Sequence, residues 1–228
     1  MILPPRVLFA GAHCDDIELF AGGLLAELCF AGTHQIGVLT FSDHRGVVSD
    51  ALAAEARREM EENLASLTRE TGAAITDHTE RLLPACRGAF EAERGAIYAA
   101  LEALRDRYDL VVTHATTDTN QDHAQVAAES VRVFKAHATL LGGEFPSNDV
   151  GGFVPQVFLP ISARALDAKV RMIGAYASQR FGGRPYFDEG TIRGLARVRG
   201  AQIRAEAAEA FAVTGRVIAR PGGDRVTG

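Results

Sequence analysis

The feature that most constrains the fold is a short apolar run that leads through a polar turn into a helical pattern. The run is Val7-Leu8-Phe9, the turn holds His13-Cys14-Asp15-Asp16, and the helical pattern ends at Gly32. A β-branched or aromatic run with a turn and a helical pattern beyond it is typical of a strand, a loop and a helix in sequence. The polar turn is therefore predicted at the carboxyl end of a strand, where open parallel sheets bind ligands.

Strand and helix patterns alternate along the rest of the chain. Strands are predicted at 6–12, 35–41, 73–76, 109–114 and, as an edge strand with prolines, 153–160; helices are predicted at 16–31, 50–71, 90–106, 124–138, 162–178 and 191–212. Residues 142–152 are rich in glycine and are predicted to be a flexible connection. The alternation predicts an α/β fold, a single Rossmann-like domain over residues 1–220 whose mostly parallel sheet carries helices on both faces, with residues 221–228 as a flexible tail.

Composition narrows the function classes. The chain has 228 residues, of which 47% are hydrophobic, so it can bury one substantial core. Its net charge of −5 gives no electrostatic indication of nucleic-acid binding. Apolar runs are too short for a membrane span and the first residues lack a signal-peptide layout, so a cytoplasmic location is expected. The three cysteines, Cys14, Cys29 and Cys86, predict no disulfide framework.

The first polar turn carries the residue types of a metal site. His13 and Asp16 are three residues apart, so a tight turn can aim one imidazole and one carboxylate at a common point. Asp15 is then left beside them as a base. The alternative is structural, because Asp15 or Asp16 at the start of a helix can cap it and interact favourably with its dipole.

A second polar loop follows the strand at 109–114. His123 in this loop would complete a His/Asp/His set with His13 and Asp16, the three-ligand pattern of a catalytic zinc that keeps one position open for water. His114 ends the strand, and this position fits a buried hydrogen-bond partner of the loop and a metal ligand equally well.

A third polar loop, Ser42-Asp43-His44-Arg45-Gly46, follows the second strand. We expect a surface turn there, in which His44 has a structural role. Asp43 and Arg45 are candidate substrate contacts.

Two of these loops resemble the signatures of a known family. The segment His13–Gly23 resembles the His-Pro-Asp-Asp-x-Glu and Gly-Gly signature of the PIG-L (LmbE-like) metal-dependent N-deacetylases, and Asp118–His123 is similar to that family's Asp-x-His-x-Asp-His signature. Weaker likenesses occur at 58–65 and 199–211. The resemblance implies that His13, Asp16 and His123 bind Zn²⁺, with Asp15 as general base, and it selects Arg58 as a substrate contact.

The chain departs from the family pattern at two positions. Cys14 replaces the usual proline, and it is a minor candidate for an additional soft ligand. Asn120 replaces a histidine that in the family assists the oxyanion or the leaving amine. An amide can donate a hydrogen bond to an oxyanion but cannot shuttle a proton. Asp122 is expected to orient His123, Asn120 or Asp15.

The predicted function is a zinc-dependent hydrolase that removes an N-acyl group, above all N-acetyl, from an amino sugar or glycoside. Two alternatives stay open: a catalytically impaired sugar-binding member of the same fold, and a zinc amidase acting on a non-sugar N-acyl compound. A nucleotide-binding protein is disfavoured, because the first turn lacks Gly-x-Gly-x-x-Gly and its carboxylates would repel a pyrophosphate. Residues 178–187, with arginines and aromatic residues, suit either a sugar or a homo-oligomer contact.

Overall fold

The computed structural model describes residues 3–79, 89–180 and 183–218. The strands are β1 (Arg6–His13), β2 (Gln35–Ser42), β3 (Ile75–Asp77), β4 (Leu110–His114), β5 (Thr139–Gly143), β6 (Val157–Pro160) and β7 (Ala208–Val213). The helices are α1 (Asp16–Ala31), α2 (Asp50–Thr71), α3 (Arg94–Glu102), α4 (Gln121–Phe134), α5 (Ala163–Ala175) and α6 (Glu189–Gln202). The predicted tail at 221–228 and Cys86 lie outside the described residues.

The described strands form one sheet in the order β3-β2-β1-β4-β5-β7-β6. Strands β1 to β5 pair in parallel, whereas β7 runs antiparallel to both β5 and β6. Side chains alternate across the sheet, so Phe9 packs with α1 and α5 on one face and Leu8 with α3 and α4 on the other. The predicted α/β class, the mostly parallel sheet and the helices on both faces are confirmed.

Two strands were not predicted. β5 begins in residues 139–141, for which no element was predicted, and ends in the first two residues of the expected flexible connection. β7 overlaps the end of the segment expected to be the last helix, which ends at Gln202 instead. Ala208-Glu209-Ala210-Phe211 consists largely of helix formers, so its strand conformation comes from pairing with β5 and β6 and from burial. The single domain therefore closes with an antiparallel pair at one edge.

β7 is tied to α1 through one buried carboxylate. Helix α1 is interrupted at Ala21, where φ is −147°. Beyond the interruption, Glu209 accepts hydrogen bonds from the backbone N–H groups of Gly23 at 2.9 Å and Leu24 at 2.7 Å. The Lys169 Nζ of α5 lies 2.6 Å from the same carboxylate. Glu209 thus acts as a cap for the second half of α1 and anchors it to two other elements.

Within the described ranges, no helix combines the length and the apolar character that crossing a membrane requires.

Candidate metal centre and active site

Three loops meet at the carboxyl edge of the sheet, because β2, β1 and β4 are adjacent parallel strands. They border an open cleft. Its lining residues come from the β1, β2 and β4 loops, from the segment after β5 and from the turn before α6: His13, Asp15, Asp16, His44, Val47, Asn120, Asp122, His123, Phe145, Ser147, Asn148, Arg184 and Tyr186. The three polar loops noted in the sequence therefore converge on one place.

The structure brings the three predicted metal ligands together. His13, Asp16 and His123 are buried, and each offers a ligand atom within 4.8 Å of the other two. Asp16 Oδ2 accepts a hydrogen bond from the His13 backbone N–H at 2.6 Å. The other oxygen, Oδ1, lies 3.3 Å from His123 Nε2. Two imidazoles and a carboxylate are ligands that suit Zn²⁺ and related divalent ions, so the donor set fits such a metal.

Two further carboxylates orient the histidines. Asp118 Oδ2 lies 2.8 Å from His123 Nδ1, which leaves Nε2 facing Asp16. Asp122 Oδ2 lies 3.2 Å from His13 Nε2. The Asp122 carboxylate thus contacts His13, a partner that the sequence did not assign to it. Carboxylates that hold metal-binding imidazoles in place are a common feature of metal sites. Asp118 belongs to the second sequence signature, but the spacing alone assigned it no role.

The candidate metal site holds several titratable side chains in a buried environment. Burial lowers the pKa of His13, but the Asp16 and Asp122 carboxylates raise it more, to about 9. Burial also lowers the pKa of His123, and Asp16 with Asp118 raises it to about 10. For Asp16, burial raises the pKa, while the surrounding histidines hold it well below its usual value. Protons on the two imidazoles therefore balance the carboxylates, and a divalent cation can take over that balance.

His114 lies directly behind His123. The two rings stack with centroids 3.9 Å apart, and the Ala12 N–H donates to His114 Nε2 at 3.0 Å. Burial lowers the pKa of His114, and its Nδ1 has no hydrogen-bond partner within the part of the chain that the structure describes. The hydrogen-bond alternative for His114 is thus realised, although its ring also lies within 4.8 Å of ligand atoms of Asp118 and His123.

Asp15 stands beside the three ligands. It precedes α1, yet its side chain makes no capping hydrogen bond. Its Oδ1 instead accepts a hydrogen bond from His44 Nε2 at 3.0 Å. The helix-capping alternative does not describe Asp15. Sequence reasoning gave His44 a structural role in a surface turn, but the structure places it in the cleft; its position after a strand in a third polar loop was the available indication.

Asn120 caps the start of α4 and also lines the cleft. Its side-chain oxygen accepts from the backbone N–H groups of Asp122 at 2.9 Å and His123 at 3.4 Å. This capping explains why α4 begins at Gln121, three residues before the predicted start. Because the oxygen is committed to the helix, the amide nitrogen is the group left to donate into the cleft.

The three predicted substrate contacts do not line the cleft. The buried Asp43 carboxylate accepts hydrogen bonds from the backbone N–H and the guanidinium of Arg45, each at 3.1 Å. This pair therefore stabilises the loop to which both residues belong. Arg58 lies on the exposed face of α2 and pairs with Glu55. The helical period places it opposite the buried face at Ala56, which packs towards the protein interior.

The Cys14 side chain also belongs to neither candidate ligand set in the described residues. It packs in an apolar cluster with Ala56, Met60 and Tyr176, and its Sγ lies 3.5 Å from the Ser42 carbonyl oxygen. Burial raises the pKa of its thiol well above the usual value. Phe145 and Asn148, to which the sequence gave no site role, border the cleft, together with Arg184 and Tyr186 from the segment expected to contact a sugar or another subunit.

Comparison with known structures shows a shared fold. The conserved protein TT1542 of Thermus thermophilus is 22% identical, with a TM-score of 0.69 over 98% of this chain and 100% of that one. The N,N'-diacetylchitobiose deacetylase of Pyrococcus horikoshii is 19% identical, with a TM-score of 0.66 over 92% and 83%. The 4-carboxy-2-hydroxymuconate hydratase GalB of Pseudomonas putida is 18% identical, with a TM-score of 0.65 over 94% and 98%. Since the deacetylase and the hydratase perform different reactions, the fold alone does not fix the chemistry.

Sequence comparison identifies the family. No curated protein matches the chain. A family model described as PIG-L, GlcNAc-PI de-N-acetylase, matches residues 8–134, which is more than half of the chain and includes both polar signatures. This chain therefore belongs to the PIG-L family of N-deacetylases.

Proposed function

We propose that this protein is a zinc-dependent hydrolase that removes an N-acetyl group from an amino sugar or glycoside. One observation carries the proposal: the ligand atoms of His13, Asp16 and His123 lie within 4.8 Å of one another, in a cleft that Asp15 also lines. Three protein ligands and a neighbouring carboxylate are the parts that metal-assisted amide hydrolysis needs.

His13, Asp16 and His123 would hold the metal, and Asp118 and Asp122 would keep the two imidazoles in place. A divalent metal held there supplies Lewis acidity, which polarises the amide carbonyl and lowers the pKa of water.

Asp15 is the proposed general base. One of its oxygens is held by His44, so the other is the group that takes a proton from the attacking water. The water oxygen bonds to the acyl carbon and the carbon–nitrogen bond breaks. The proton then passes from Asp15 to the leaving amine, so the products are the free amine and acetic acid, which loses its remaining proton to solvent as acetate. One carboxylate thereby serves as base and then acid, and no proton has to pass through Asn120.

Asn120 is the proposed donor to the oxyanion that forms on the amide oxygen. Its oxygen is engaged by the α4 backbone, which fixes the orientation of the amide and leaves Nδ2 to donate. A preorganised donor of this kind contributes about 3–4 kcal/mol to transition-state stabilisation.

The remaining cleft lining supports a polar, ring-shaped substrate. Asn148 and Arg184 offer donors for hydroxyl groups, and Phe145 and Tyr186 offer aromatic surface, with ring centroids 5.6 Å apart. Aromatic surface next to a few polar groups is a common composition of small-molecule sites. Because Arg58, Asp43 and Arg45 do not border the cleft, the proposal assigns them no contact with substrate.

The test is an amine-release assay across N-acetylated amino sugars and N-acylated non-sugar amines, run with elemental analysis of the purified protein. We expect a divalent metal at about one per chain and amine release that a chelator abolishes and Zn²⁺ restores. Release from non-sugar amines only would support the zinc amidase instead. Tight sugar binding without release would support the impaired binder, for which the asparagine at position 120 is the specific argument. If the protein neither binds nor deacylates any of these compounds, the proposal is contradicted.

A further inference from the structure

His44 has an unusual backbone conformation for its residue type. Its φ is 67°, in the left-handed region that favours glycine, and in the described residues it shares this property with only one other non-glycine residue, Arg204. Hydrogen bonds from the backbone N–H groups of Val47 and Val48 to the His44 carbonyl oxygen, at 3.0 and 3.2 Å, hold the turn. The fold thus keeps a histidine where glycine would be less strained.

The conformation directs the imidazole into the cleft. The His44 ring stacks on the His13 ring, with centroids 4.5 Å apart and planes 11° apart. Its Nε2 donates to Asp15 Oδ1 at 3.0 Å, and the side chain is 13% exposed. A non-glycine residue in a strained conformation next to polar contacts is a recurrent feature of functional sites.

Asp15 depends on this contact. Its side chain makes no capping bond to α1, and across the described ranges His44 is the hydrogen-bond partner of its carboxylate. Without that donor the carboxylate can rotate about its χ torsions, because no other hydrogen bond from the described residues fixes it. With the donor, one oxygen is fixed and the other is presented to the cleft.

We infer that His44 is a positioning residue, which holds the Asp15 carboxylate in the orientation for proton transfer. This inference rests on the proposed function, in which Asp15 is the base. It assigns His44 a hydrogen bond and not a proton relay, so it does not make His44 a replacement for the histidine that Asn120 displaces. The chemistry depends on a donor at the position of Nε2.

The test separates the donor from the ring. His44→Phe keeps a flat ring against His13 but has no donor, whereas His44→Gln keeps an amide donor at the reach of Nε2 but has no ring. For His44→Phe we expect kcat to fall about 10- to 100-fold with KM and metal content unchanged. His44→Gln should recover most of the lost kcat. His137→Gln, the same substitution at a half-exposed histidine outside the cleft lining, should behave as wild type.

Crystal structures of the variants supply a measurement independent of turnover. The Asp15 carboxylate should keep its orientation in His44→Gln and rotate in His44→Phe. His44→Gly, which adopts the left-handed conformation without strain, should fold as well as wild type by thermal melting and lose kcat like His44→Phe. This variant distinguishes a loss of activity from a loss of folding.

The inference is overturned if His44→Phe turns over like wild type, or if His44→Gln is as impaired as His44→Phe. Loss of metal from His44→Phe would also overturn it, since that result would mean that the ring supports His13. If wild-type protein releases no amine from any N-acyl substrate, the proposed function fails. The orientation of Asp15 in the His44→Phe structure then decides the positioning role alone, and an unmoved carboxylate rejects it.

Discussion

At the scale of single residues, the proposed function separates groups that would hold a metal from a group that would move a proton. Asp16 contacts the backbone of His13 and faces the ring of His123, whereas the Asp15 carboxylate accepts a hydrogen bond from His44. Adjacent carboxylates therefore have different surroundings. The difference allows one to be changed without disturbing the other.

Replacing Asp15 by asparagine tests this separation. The new amide would still accept a hydrogen bond from His44, but it cannot take the proton from water. We expect kcat to fall about 10²- to 10⁴-fold while the metal content stays at the wild-type level. Amine release and elemental analysis on the same preparation measure both quantities. Turnover close to wild type would show that Asp15 is not the base, and loss of metal would show that it belongs to the ligand set.

The spacing of residues in the sequence predicted which candidate ligands would lie close together. His13 and Asp16 share a turn and His123 follows a neighbouring strand, so parallel pairing alone predicts that they meet. His44 was missed because its role depends on a backbone φ of 67°, which neither its residue type nor its neighbours indicate. Arg58 was assigned to the substrate through resemblance, but the orientation of α2 around its axis leaves it exposed.

At the scale of elements, the last strand supports the first helix. Glu209 caps the second half of α1 and pairs with Lys169 in the interior, where its side chain is 5% exposed. Gly23 leaves room for this contact, since a Cβ there would lie 2.8 Å from Ile161 Cδ1 and 3.0 Å from the Glu209 carboxylate, and both side chains would have to shift. The helix that carries Asp16 is therefore fixed by a residue of the last strand in the described chain.

Removing this carboxylate should be costly. Glu209→Ala leaves the Lys169 ammonium buried without its partner and two backbone N–H groups of α1 without an acceptor. We expect the free energy of unfolding to fall by about 3–5 kcal/mol. Chemical denaturation measures it, with Glu189→Ala as control, because Glu189 pairs with Arg193 at the surface and should cost no more than about 1 kcal/mol. Equal losses in the two variants would contradict a structural role for the buried pair.

The same elements show why part of the fold escaped prediction. β7 is built from residues that favour helix, and its strand conformation is imposed by β5 and β6 on either side. β5 ends in Gly142 and Gly143, which suggest a loop in sequence. In the sheet they are needed because a Cβ on Gly142 would lie 2.7 Å from the Ala115 Cα, and one on Gly143 would lie 2.6 Å from the Phe20 ring. Such close approaches belong to tertiary structure.

At the scale of the whole molecule, the sheet determines where a ligand site can form, and the residues of the loops determine which reaction that site can catalyse. The alternation of strands and helices was sufficient to predict the parallel sheet and its ligand-binding edge. A deacetylase and a hydratase share this architecture. The reaction must therefore be inferred from the charged groups that lie at this edge. Because these groups titrate, the stability of the protein should depend on pH, which can be measured.

The stability of the metal-free protein should fall as pH rises from about 6.5 to about 10. His13 and His123 have pKa values raised from 6.5 to about 9 and about 10, so the folded state binds their protons more tightly than the unfolded state. Their contribution is fully present below pH 6.5 and is lost as pH rises through the folded pKa values. Burial raises the pKa of Glu18 from 4.5 to about 7, which adds a decline of the same sign between those values. Measurements between pH 7 and pH 9 therefore report chiefly on the histidines, because they lie above the Glu18 value and below the usual pKa of the Cys14 and Cys29 thiols, whose pKa values burial raises.

Metal binding should show the opposite trend, because a metal and a proton compete for the same imidazole nitrogens. We expect the rise in melting temperature on adding Zn²⁺ to grow between about pH 7 and pH 9, while the melting temperature of chelator-treated protein declines over the same interval. His123→Ala supplies the control: it removes one of the two protons, so its metal-free profile should be flatter and its response to Zn²⁺ should vanish. A wild-type profile that matches the His123→Ala profile would mean that these imidazoles do not exchange protons for metal, and the ligand set would have to be sought elsewhere in the cleft.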